Sequence, residues 1–354
     1  MDYTSYLQLE RLLSAQTLVT GASGGDPAHD EHLFIIVHQA YELWFKQILH
    51  EVAYLQRLFN AEALPDEALG LAVQTLNRIV TIQKHLVQQV DILETMTPMS
   101  FLEFRDQLRP ASGFQSAQFR LIETRLGLPR SQRLKFDERS FDALLDTGSR
   151  KAVEMAESDR TLFHGIEAWL ARMPFLETRS FDFGKALQDK FVESEERITR
   201  QAGLADAEIE AQRAAIARQR HMLKAILDDE IFSYVQPEQG WRMRRPALEA
   251  ALFICLYHHK PLLQQPYQIL KSLMDVDEQM TLWRMRHVMM VARMIGLKVG
   301  TGGSSGVGYL RATVDAHRVF NDLFAISTFL APQSMLPPLP PEMERAMTFQ
   351  GMPS

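Results

Sequence analysis

Two histidines stand alone on apolar helical faces. His287 has Trp283, Met290, Val291 and Met294 at i−4, i+3, i+4 and i+7, with Arg284, Arg286 and Arg293 close by in sequence. That pattern suits a hydrogen-bonded imidazole inside a core, and it equally suits a proximal haem ligand with arginines at hand for the propionates. Spacing leaves both open. His38, flanked by Phe34 and Tyr41, poses the same choice: a core imidazole, or one that orients a polar group of a flat aromatic ligand.

Arg105 follows Phe101 by four residues, so both project from one face of a helix. An arginine beside a ring holds a carboxylate by two parallel hydrogen bonds while the ring packs on apolar surface, or else it lies over that ring at the surface. GTGGSSGVG, from Gly300, has no P-loop lysine and follows a helix, so it reads as a loop able to close over a ligand or as a flexible linker. Other histidines carry less. His29 and His32 sit at a helix start beside Asp30 and Glu31, where capping explains them, and adjacent His258 and His259 diverge on a helix. Neither HExxH nor Glu-x-x-His occurs.

Cys255 is the only cysteine, which excludes an internal disulfide, a four-thiolate metal site and two-cysteine haem attachment, and fits a cytoplasmic setting. A formal charge of −6 gives no footprint for nucleic acid or for an anionic membrane. The N-terminus has charges at Asp2, Glu10 and Arg11 and no signal-like run, and nothing approaches the roughly 20 apolar residues needed to span a bilayer.

The elements that must position these residues are helical throughout, since apolar residues recur at steps of three and four and no alternating run appears. An all-α, bundle-like domain is expected. One helix runs from about Asp30 to Asn60. A second opens at Pro65, with Leu76, Ile79, Gln83, Leu86, Val90 and Leu93 as its seam. Thr97-Pro98 caps a short helix carrying Phe101 and Arg105, and a further helix ends at Gly127. Residues 131–240 are richer in charge and read as a helical insertion or scaffold, with Ala205 to Glu230 as one surface helix. An apolar block follows Arg245-Pro246, then a long helix from about Gln268 to Lys298, then a proline-rich tail expected to lie extended over the surface.

Several segments together resemble the tryptophan 2,3-dioxygenase family: YTSYLQLERLLSAQ, HDEHLFIIVHQAYELWFKQIL, LETMTPMSFLEFRDQLRPASGFQSAQFRLIE, and WRMRHVMMVARMIGLKVGTGGSSGVGYLR with the PLPP tail. They cover about residues 3 to 128 and 245 to 341, in family order; the middle agrees only in helical character. The resemblance implies a haem b enzyme, ferrous when active, that adds both atoms of O2 across the indole C2–C3 bond of L-tryptophan to give N-formylkynurenine, the first step of the kynurenine pathway.

By the same resemblance His287 is the axial iron ligand and His38 hydrogen-bonds the indole N–H. Phe34, Ile35, Ile36, Val37 and Phe101 belong to the substrate site, Arg105 clamps the carboxylate, Thr301 binds the amino-acid end, and Ser112 lies near a propionate. Tyr3 and Tyr6 reach a neighbouring subunit's site, which implies a homotetramer whose short N-terminal segments are exchanged. The expected organisation is 1–29 as that segment, 30–130 with 241–341 as the haem- and substrate-binding core, 131–240 as the insertion and 342–354 as tail. The competing expectations are a haem monooxygenase of another indole and a non-catalytic helical binding protein.

Overall fold

The computed structural model describes residues 1–21, 26–62, 64–135, 140–199, 205–296, 298 and 306–348. Among them the regular structure is helical apart from one isolated bridge between Glu177 and Asp182. The chain divides into two compact units, one of residues 1–56, 77–161 and 275–319, the other of 57–76, 162–274 and 320–354.

The first unit takes its frame from long helices. After α1 (Tyr3–Leu7) and α2 (Leu9–Leu13), which bury no residue, come α3 (His29–Phe59), α4 (Asp66–Leu93), α5 (Pro98–Arg105) and α6 (Ala117–Leu126). The expected seam of α4 is buried along its whole length. Tyr41 on α3 donates to the Leu86 carbonyl at 2.8 Å, and Gln89 on α4 donates to the Val37 carbonyl at 3.0 Å. Polar side chains thus lock two apolar faces in register, because a buried donor left unpaired is costly. Thr97 accepts from the Ser100 amide and Pro98 sits in the first turn, which fixes where α5 begins and so where Phe101 and Arg105 fall. Gly127, at φ 123°, ends α6 in a conformation that side chains disfavour. α7 (Thr147–Ser158) packs on α6.

The second unit contains α8 (Leu162–Leu170), α9 (Phe183–Thr199), α10 (Asp206–Leu227), α11 (Asp229–Gln239) and α12 (Arg245–Leu256). The apolar block after Pro246 is buried almost all round, as a helix without a polar face must be. Gly165 of α8 lets the backbone meet Phe59 closely, since a Cβ there would stand 2.9 Å from the Phe59 Cβ. The stretch from Ala205 to Glu230 is not one exposed helix. Asp228 caps a new helix by accepting from the Glu230 and Ile231 amides, and Leu223 and Ile226 are core residues.

α13 (Gln264–Ile295) starts earlier than expected, with Pro266 accommodated in its first turn, and ends at Gly296 with φ 56°. α14 (Gly306–Ala316) then closes the first unit, while α15 (Asn321–Ala325) and α16 (Pro341–Met347) belong to the second. The proline-rich tail is not merely draped outside: Leu339, Met343 and Met347 are buried, and Tyr257 donates to the Pro337 carbonyl at 2.6 Å. No helix among the described residues is long and apolar enough to cross a membrane.

Candidate functional site

A cavity of about 300 Å³ opens within the first unit, walled by α3, the end of α4, α5, α6, α13 and α14. His38, Arg105 and His287 all line it, with Phe34, Phe101 and Ser112. Phe34 and His287, 253 positions apart in sequence, thus meet in one place.

The His287 side is apolar. Trp283 stacks on the imidazole at a centroid distance of 5.3 Å and 13°, and Met290, Val291 and Met294 continue the wall. Burial, with a smaller contribution from His38, pushes the His287 imidazolium pKa down to about 4, so the ring is neutral and its lone pair is available to a metal. Trp283 in turn meets Phe119 at 5.0 Å, fixing the orientation of this face.

The His38 side is built from the start of α3. Phe34 lies 4.0 Å from the His38 ring and 5.8 Å from Phe101. His38 Nδ1 is 2.7 Å from the Phe34 carbonyl, an acceptor only. Nδ1 therefore carries the proton, and in the neutral ring Nε2 is left as a hydrogen-bond acceptor. The ring opens onto the cavity but is surrounded by its walls; burial lowers its pKa, opposed by the Phe34 carbonyl and Glu42. Glu42, one turn further along α3, accepts from the Ser116 hydroxyl at 2.6 Å and from Gln118 Nε2 at 2.8 Å. These bonds tie the Ser112–Gln118 segment to the helix that carries His38.

Arg105 closes another side, 6% exposed at the end of α5, four residues beyond Phe101 as its spacing implies. Further charged and titratable groups come from elsewhere in the wall: Arg120, Glu123, Arg284 and His317 also line the cavity. Arg286 faces Asp91 of α4 and Glu94 just beyond its end, so it is engaged as a tie between α13 and α4. Ser112 caps a short 3₁₀ turn with its hydroxyl.

Other expected residues fall elsewhere. Val37 is in the core, Ile36 is 40% exposed and Ile35 is half-buried; none of them lines the cavity. Tyr3 and Tyr6 are 73% and 70% exposed on α1, away from this chain's cavity. Thr301 lies outside the described residues. Glu42, Arg120, Glu123, Tyr309 and His317 were not singled out from sequence. The i+4 step from His38 to Glu42 carried a local signal, whereas His317 reaches Glu123 across 194 residues with none.

A family model described as tryptophan 2,3-dioxygenase matches residues 1–330. Among curated relatives, the tryptophan 2,3-dioxygenase of Alteromonas mediterranea is 43% identical over 351 residues, covering 98% of this chain and 97% of the relative. That of Bdellovibrio bacteriovorus is 42% identical over 353 residues, 99% and 98% of the two chains. The Rattus norvegicus protein of the same name is 43% identical over 343 residues, 96% of this chain and 84% of the relative.

Proposed function

The chain belongs to the tryptophan 2,3-dioxygenase family, and from that premise we propose that it opens the indole C2–C3 bond of L-tryptophan with O2, giving N-formylkynurenine. The observation that carries the reading is the convergence of His287, His38 and Arg105 on one largely apolar cavity.

The donor set fits a haem. A neutral, buried imidazole is offered from one wall, Trp283 and the methionines present apolar surface beside it, and the buried Arg120 Nε is without a partner. His287 would hold the iron, with Ser112 and Arg120 available to the cofactor's carboxylates. Haem b, ferrous when active, would supply the binding and activation of O2.

The chain's own groups select and aim the substrate. Arg105 binds the carboxylate in a bidentate pair, which in a cavity poor in water is stronger than at the surface. Phe34 and Phe101 flank the indole, and His38 Nε2 accepts the indole N–H, so three contacts fix a rigid molecule in one orientation. Thr301 would hold the ammonium and carboxylate end as its loop closes. No strong general base is required of the protein, since the electron-rich ring is itself the nucleophile and orientation with exclusion of water is what the walls provide.

Tyr3 and Tyr6 would complete the site of a neighbouring subunit in a homotetramer; in the single chain α1 and α2 bury nothing, which supports that use. A cytoplasmic location goes with the lone cysteine. The test is to supply the purified chain with haem and a reductant, then tryptophan and air. N-formylkynurenine should form, and His287→Ala should abolish both product and the intense haem absorption band. A protein whose haem spectrum ignores that substitution would refute the ligand assignment.

A further inference from the structure

Glu123 on α6 is 1% exposed, yet hydrogen-bonding side chains from four stretches of the chain converge on it. Oε1 accepts from Arg284 Nη2 at 2.7 Å and lies 3.4 Å from His317 Nδ1. Oε2 accepts from Arg133 Nη1 at 2.8 Å and from Arg120 Nη1 at 3.3 Å. Three guanidiniums thus share one carboxylate, a surplus of two positive charges. Aromatic rings restrict the same groups: Arg133 lies 4.0 Å from the Phe141 centroid, and Arg120 and Arg284 lie 5.8 and 5.9 Å from that of Phe119. The Nε atoms of Arg120 and Arg133 are buried without partners.

Burial alone would raise the Glu123 pKa, but Arg133, the His317 hydrogen bond, Arg120 and Arg284 outweigh it and hold the carboxyl well below its ordinary range. It is an anion that nothing in the substrate scheme uses. Arg120 and Arg284 line the cavity, whereas Arg133 does not. A buried surplus of cations is costly unless an anion faces it.

We infer that Glu123 is a positioning residue: it fixes Arg120 and Arg284 so that their unspent charge faces the cavity and seats the carboxylate edge of the cofactor. This rests on the haem reading above. Two carboxylates would balance the surplus, and Glu123, with all four contacts taken up inside the protein, acts only through the arginines.

The experiment titrates the haem-free full-length protein with haem and with haem dimethyl ester, whose carboxylates carry no charge. The readout is the ratio of the two affinities. Charge-assisted pairing predicts that the wild type prefers haem by at least roughly tenfold. Glu123→Gln keeps the shape but turns an NH2 toward guanidiniums, so the ratio should fall toward one while affinity for the ester is retained. Equal weakening of both ligands would show a merely structural role and overturn the inference. So would an unchanged ratio, or a ratio raised by the added net positive charge. Should Glu123→Gln not fold, Arg133→Met, which removes one anchor of Oε2 outside the cavity lining, must lower the ratio several-fold; no change overturns the inference. A wild-type protein that binds neither ligand defeats the haem reading itself, whereas a wild type that binds both equally defeats only the role of Glu123.

Discussion

Arg105 is a buried cation at the end of a short helix, and the substrate carboxylate proposed for it meets a group already held in place by α5. Arg105→Leu should raise the KM for tryptophan far more than it changes haem content, by the roughly 2 to 5 kcal/mol of a broken buried charge pair. Steady-state kinetics beside a haem stoichiometry check this; an unchanged KM contradicts the clamp. At this scale the sequence was only partly legible. The Phe101–Arg105 and Trp283–His287 spacings correctly placed pairs on shared faces. Whether His287 fills a core or binds a metal depends on an empty space beside it, and periodicity does not encode empty space. The state of His38 depends on one carbonyl one turn earlier, which any helix offers and only the ring geometry singles out.

Helices were legible where caps and seams are local. Thr97-Pro98, Gly127 and the α4 seam set their elements as expected. The α10–α11 break was missed because Asp228 was read as one more charge in a charged run, when its carboxylate accepts two backbone amides. α12 carries a further consequence. Glu249 is buried next to Arg245, and its pKa is pushed up to about 7, chiefly by burial, with Arg245 opposing and Asp182 and Asp229 adding to the rise. The fold therefore favours the protonated carboxyl. That contribution is complete below the ordinary value near 4.5 and is lost as pH rises through about 7. Glu249→Gln, which stays uncharged, should gain melting temperature relative to the wild type as pH goes from about 5 to about 7.5. A difference independent of pH contradicts this assignment.

At the scale of the molecule, the residues that line the cavity come from one compact unit assembled from three separated parts of the chain. Helical class follows from periodicity, but this assembly depends on long-range ties such as Gln83 to Val276 and Arg284 to Glu123, which have no local signature. α1 and α2 bury no residue within the chain, and the proposal gives them a place at a neighbouring subunit's site. Deleting residues 1–14 should leave haem uptake intact, lower tryptophan turnover and reduce the assembly's mass in light scattering, whereas full turnover would contradict a shared site.

The central claim is that this cavity directs both atoms of O2 into the opened indole of tryptophan. Turnover of the reduced, haem-loaded protein under isotopically labelled O2, read by mass spectrometry at early times, tests it most directly. N-formylkynurenine carrying both labelled atoms is the predicted result; an intact indole carrying a single labelled oxygen, or no oxidised product, would contradict it.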